Sequence, residues 1–182
     1  MSLRIIMTLR SDERGAALLE MALMLPFLFA LIFGIFEFGN FFSQYQLVQS
    51  GARDAARYLS RVTDTTSTSP CGASGCLTPC DPLVLAEKVG NAQSIAVYGA
   101  IGGSTKRVSW MGTGDIAVDY ATVIANPMIS GYPTYRGPTS GIRIIKVTAT
   151  PTYSDAIGLL GAIGLGTIKI SVQHQERCIG QG

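Results

Sequence analysis

Charge is scarce in this sequence. Only 14% of its 182 residues are Asp, Glu, Lys or Arg, and the formal balance is +2. A chain this close to neutral has no basic surface for neutralising a run of phosphates, which speaks against nucleic acid as a partner. Histidine and tryptophan occur once each, as His174 and Trp110. Gln173, Gln175 and Glu176 surround the lone histidine, which reads as structural or exposed, and Trp110 reads as packing. No G-x-S-x-G, Walker A or H-E-x-x-H pattern is present. Gly99 to Gly103 lacks the strand-turn-helix setting of a nucleotide loop. Asp115, Asp119 and Asp155 stand apart from one another, as turn formers or surface charges. With no catalytic residue, metal site or cofactor site in view, the expectation is a protein that works by contact and not by catalysis.

What the chain does have is one long apolar run. From Ala16 to Phe36 every residue is apolar except Glu20. At about 1.5 Å per residue a helix of this length crosses a hydrocarbon core of about 30 Å. A helix is the only single-pass form that satisfies its own backbone in lipid. Pro26 removes one hydrogen bond, and Glu37 ends the run. The run is too long for a secretory signal and ends without an A-x-A site. Arg4, Arg10 and Arg14 flank it on one side, and Arg53, Arg57 and Arg61 on the other. The positive-inside rule is therefore nearly balanced. The closer N-terminal arginines, and cysteines confined to the C-terminal side, favour the N-terminus inside and the rest outside.

Those cysteines are Cys71, Cys76, Cys80 and Cys178. An even count on one side of a membrane segment suggests disulfides in an oxidising compartment. The C-x4-C-x3-C spacing lacks the C-x2-C clamp that structural zinc favours. Three pairings are possible.

The junction before the apolar run carries a second signal. A polar leader ends Arg10-Ser11-Asp12-Glu13-Arg14-Gly15, and the chain then turns apolar at once, with a carboxyl at Glu20. A charge near a helix start in lipid costs a few kcal/mol unless it is paired. Cleavage after Gly15 would create an amino group on Ala16 that could pair with Glu20 of the same or a neighbouring chain. The plainer alternatives are a flexible hinge at Gly15 and a snorkelling Glu20.

Arg14-Gly15 followed by Ala-Ala-Leu-Leu-Glu20 resembles a type IV prepilin cleavage junction. The longer run Gly15 to Pro26, with Gly34-Ile-Phe-Glu37-Phe-Gly39, resembles TadE-like proteins, minor pilins or pseudopilins of tight-adherence (Flp-type) pilus systems. The resemblance is specific over residues 14 to 60. It continues weakly at Ile142 to Tyr153 and Ile168 to Arg177, and leaves the cysteine cluster unmatched. It implies processing by a prepilin peptidase between Gly15 and Ala16, with Glu20 neutralising the new amine and setting axial register. The implied partners are membrane lipid, other pilin subunits and the inner-membrane assembly platform. The implied location is single-pass in a bacterial inner membrane, with the C-terminal domain periplasmic or extracellular, and later in the pilus. The large C-terminal domain favours a minor subunit, since the major pilins of these systems are very short.

Past the membrane the helix should continue to about Val62. Leu47, Gly51, Ala55, Tyr58 and Val62, with Val48, Ala52, Ala56 and Leu59, form a broad face of small and apolar residues. Asp54 and Arg57 are placed to pair at i, i+3. Glu37 reads as an interfacial charge. A polar loop from Thr63 to Pro70 and the cysteine cluster lead to Asp81-Pro82, a cap and first turn for a helix to Tyr98 that Gly90 and Asn91 could divide. Leu85, Val89, Ala92 and Ala96 would face the core.

Alternation then predicts strands around Ile116 to Tyr120, Ile142 to Ala149 and Ile168 to Gln173. Cys178 shares parity with the buried side of the last, so a disulfide from it to the Cys71–Cys80 loop would tie down the chain end. Ala156 to Leu165 is apolar and Gly-rich, a short helix or an exposed contact patch. The expected fold is α+β and pilin-like: a leader over 1–15, a long helix over 16–62, and an extracytoplasmic domain over 63–182 with a second helix and a small antiparallel sheet. Two other readings stay open. One is an uncleaved single-pass envelope protein with a binding or sensor domain, and the other is an anchored periplasmic enzyme.

Overall fold

A computed structural model describes residues 13–62, 82–134, 141–154, 158, 161, 164 and 167–178. One helix dominates it. α1 covers Glu13–Arg61, 49 residues with Pro26 inside, and is about 73 Å long at 1.5 Å per residue. Residues 15–33 are all exposed, because no other described part of the protein lies along them. In the other half, Val48, Ala52, Ala55, Ala56 and Leu59 are fully buried at a three- to four-residue spacing. That is the face expected from the sequence, except that Leu47 is exposed and Val62 lies past the last helical residue.

The second helix, α2, covers Pro82–Tyr98 without a break at Gly90 or Asn91. Gly90 is exposed, and Asn91 Nδ2 donates to the Tyr58 hydroxyl at 3.3 Å. Leu85, Ala92 and Ala96 are buried as anticipated, joined by Val97, while Val89 is half-buried. Asp81, the expected cap, lies outside the described residues. Small side chains bring the two helices unusually close. A Cβ on Gly51 would sit 2.4 Å from the Ala96 carbonyl oxygen, so only glycine fits there. α2 ends at Gly99, whose φ of 80° suits the left-handed closing position and whose N–H bonds the Ile95 carbonyl.

A short 3-10 turn, Thr113–Asp115, leads into the sheet. Its strands are β1 (Ile116–Asp119), β2 (Val123–Ile124), β5 (Ile142–Ala149) and β6 (Val172–Arg177). β5 is central and every pairing is antiparallel. β1 pairs Ile116 with Ala149 and Asp119 with Lys146, and β2 resumes at Val123 opposite Arg143. One edge of β5 is thus followed by a single broken strand with an extra residue at the break. Asp119 causes that break, since its carboxyl accepts from Ala121 N–H at 2.9 Å and from the Thr122 hydroxyl at 3.2 Å. The strand expected to reach Tyr120 therefore stops at Asp119.

On β5 the odd positions Ile145, Val147 and Ala149 are buried. They pair across to Glu176, His174 and Val172 on β6, and this face closes on α1. β6 begins later than the alternation implied, although Ile170 is buried and Lys169 makes an isolated bridge to Thr152. Between β2 and β5 a two-stranded hairpin, β3 (Met128–Ile129) with β4 (Tyr132–Pro133), turns through Ser130 and Gly131. Both turn residues have positive φ, 53° and 82°, as a two-residue hairpin turn requires. The arrangement is α+β, as expected.

Candidate functional site

The predicted processing junction is fully accessible. α1 begins at Glu13, so Gly15 and Ala16 lie inside its first turn. Both are exposed, as is Glu20, and no atom stands within 4 Å of where a Gly15 Cβ would point. Ala16 and Glu20 are four residues apart, so they share one face about 6 Å apart along the axis. The fold brings no other described side chain to this junction.

A different constellation sits at the other end of the apolar span, built on Glu37 and including Trp110. Ala16 to Phe36 rises about 31 Å, against about 30 Å of hydrocarbon, which puts Glu37 at the exit. Glu37 does not face outward from the helix. It is only 5% exposed and turned toward the domain, where the Tyr153 hydroxyl donates to its Oε1 at 2.6 Å. Asn40 Nδ2 donates to the same hydroxyl at 3.2 Å, and Gln44 Nε2 donates to Asn40 Oδ1 at 3.0 Å. Trp110 Nε1 donates to Gln44 Oε1.

Positions 37, 40 and 44 are spaced by three and four, so they form one polar stripe on α1. Phe41 lies within the stripe, and its ring meets Tyr153 edge-on with centroids 5.0 Å apart; Trp110 meets Tyr153 likewise at 5.7 Å. The stripe begins directly after the apolar run, and its spacing is the signal that could have found it. The hydroxyl of Tyr153, more than a hundred residues away in the chain, could not be assigned to it from spacing.

Further along α1, ion pairs replace the expected local one. Asp54 Oδ2 accepts from Arg107 Nη2 at 2.6 Å, and Arg57 Nε lies 3.7 Å from Glu176 Oε1. Asp54 does not take Arg57, because Arg107 reaches in from the chain after α2 and also donates to Ser50 at 3.1 Å. His174 sits 3.0 Å from Glu176, a structural place for the lone histidine. Trp110 packs on the core, and Asp115 caps its turn by accepting from Gly112 N–H at 2.8 Å. Asp155 lies outside the described residues.

Of the cysteines, Cys178 is 6% exposed, belongs to the core and is disulfide-bonded. Cys71, Cys76 and Cys80 lie outside the described residues, so its partner is not assigned. No group of three or more His, Cys, Asp or Glu side chains that could hold a metal occurs among the described residues.

An exposed apolar helix long enough to cross a membrane, the one such helix among the described residues, is fixed by a polar stripe to a small α+β domain, and this arrangement fits the class of membrane-anchored proteins. Residues 15–57 match the family model described as TadE-like protein, so this stretch of the chain is similar to that family. The match begins on Gly15 and ends on Arg57, within α1, so it does not extend to α2 or the sheet. No curated protein and no solved structure matches the chain.

Proposed function

We propose that this protein is a minor pilin-like subunit of a tight-adherence (Flp-type) pilus, acting in assembly, initiation or adhesion through contact and not catalysis. The observation that carries the reading is the position of the TadE-like segment. It starts on Gly15, the glycine of the prepilin-like junction, and that junction is open on α1 to a peptidase. A prepilin peptidase cuts between Gly15 and Ala16. α1 holds the subunit in the inner membrane with its C-terminal domain outside. On transfer to the assembly platform, helices of neighbouring subunits replace lipid around the span. Glu20 then neutralises an Ala16 amine on its own or the next chain, which sets register. The cysteines, with Cys178 on the core side, form disulfides that secure the domain.

The test uses Glu20→Gln in cells lacking the native copy. The substitution keeps the side chain's shape and removes its charge. The variant is expected to reach the membrane and be cleaved at wild-type levels, yet to reduce piliation about tenfold or more, as loss of a buried charge pair would. Wild-type piliation with Glu20→Gln would sink this role for Glu20.

A further inference from the structure

The hairpin β3–β4 lies at the end of the domain away from the apolar span. The Tyr153 hydroxyl meets Glu37, where that span ends, while Glu176, opposite Ile145 on β5, meets Arg57. Arg57 lies about 30 Å beyond Glu37 along α1 at 1.5 Å per residue. β5 starts further out still, at Ile142, and β2 runs toward that start, pairing Val123 with Arg143 and Ile124 with Ile142. The chain then continues outward into β3 and β4.

This end is apolar and bare. Val123, Ile124, Met128, Ile129 and Tyr132 are 45–76% exposed, and no charged residue occurs from Thr122 to Thr134. At roughly 200 Å² for a large residue, they leave on the order of 600 Å² uncovered, the upper end for ordinary monomers and near the roughly 800 Å² that each partner gives to a stable interface. The hairpin is nonetheless well defined. Ile144 N–H bonds the Thr122 carbonyl at 2.9 Å, and Thr134 N–H bonds the Pro127 carbonyl at 2.8 Å. A two-stranded hairpin standing alone is marginal in water and gains from further strands.

Its two edges differ. β4 carries Pro133, which has no N–H to offer a further strand. On β3 the outer edge is open. Pro127 and Thr134 are hydrogen-bonded inward, so by alternation Met128, opposite Pro133, turns its N–H and C=O outward. If a second β3 pairs antiparallel about Met128, the two Met128 residues exchange both bonds. Pro127 then falls opposite Ile129, at a position where its missing N–H costs nothing. We propose that this hairpin joins two copies of the chain, β3 to β3 about a two-fold axis at Met128, in one four-stranded antiparallel sheet.

A second copy fits this edge for two further reasons. An uncharged segment can pair with itself without bringing like charges together. Copies anchored in one bilayer by α1 also present the hairpin at the same height. That last point rests on the anchored reading of α1, whereas the edge geometry does not.

The test follows the full chain in detergent micelles by sedimentation over a dilution series. Met128→Glu and Met128→Lys each set like charges opposite one another across the axis, and Met128 is 65% exposed, so the monomer tolerates either. The wild type is expected to dimerise, and each variant to weaken the dimer about tenfold or more. An equimolar mixture of the two variants is expected to return to within about threefold of wild type, since opposite charges then face each other. A monomeric wild type would overturn the inference. So would a dimer that survives in Met128→Glu, because it would be held elsewhere, as by α1, or a mixture that stays as weak as the single variants. Cleavage at Gly15 is read separately from the N-terminal residue, so the pilin-like function and this pairing can fail independently.

Discussion

Glu37 occupies a place hostile to a carboxyl, one residue past an apolar span, and its neighbours make the placement tolerable. The Tyr153 hydroxyl donates to it, and that hydroxyl is in turn held by Asn40, which accepts from Gln44, which accepts from Trp110. Tyr153→Phe removes the hydroxyl that serves both Glu37 and Asn40, and is expected to destabilise the domain by about 1–3 kcal/mol. Chemical denaturation of the detergent-solubilised protein measures it, and an unchanged midpoint would contradict the role given to Tyr153.

A pair of glycines tests packing at the same scale. Helix propensity alone would make Gly→Ala favourable by about 1 kcal/mol at either position. At Gly90, exposed with nothing near its Cβ site, that gain should appear. At Gly51 the new methyl would meet the Ala96 carbonyl at 2.4 Å. Backbone cannot rotate aside as a side chain can, so strain of about 1–3 kcal/mol should reverse the sign. Opposite shifts in denaturation midpoint for the two variants are the expected result.

At the scale of elements, α1 does two jobs divided near Glu37. Its first part has no neighbour among the other described elements, and its second part is the spine of the core. A cysteine at Leu28 should therefore resist a water-soluble maleimide in sealed vesicles until detergent is added, while one at Arg53, an exposed position past the span, should react from one side at once. Equal reactivity at both sites would refute a membrane-spanning α1.

The two parts of α1 were legible in the sequence because each rests on periodicity or length: an unbroken apolar run, then small and apolar residues at three- and four-residue steps. Strand β5 was legible for the same reason. What could not be read depends on partners distant in the chain. Asp54 and Arg57 looked like a local pair, yet Arg107 and Glu176 offer closer geometry. β1 ended early because Asp119 folds its carboxyl onto the backbone ahead, a competition that alternation does not register. The partner of Glu37 was missed because nothing local revealed Tyr153. The prepilin-like motif at Gly15 was legible in the sequence, but the processing proposed for it involves a peptidase, which no fold of a single chain contains.

At the scale of the whole molecule, the domain is clamped to α1 at both ends. The Glu37 stripe holds the end near the membrane, and Arg107 and Glu176 hold the far end. Cys178 lies in the core at the end of β6. A disulfide from it to the 71–80 region closes a loop of about a hundred residues, worth about 4–5 kcal/mol in the chain-entropy account. Thiol titration of the denatured, unreduced protein should find no reactive thiol, and reduction should reveal all four cysteines. Reactive thiols before reduction would remove disulfides from the account.

In the proposed function such a clamped unit passes from lipid to filament as one body after cleavage at Gly15. The most direct test is the N-terminal residue of the protein recovered from membranes of cells that carry the prepilin peptidase. The account predicts Ala16, with Met1 retained when Gly15 is replaced or the peptidase is deleted. An intact Met1 in peptidase-bearing cells would contradict it.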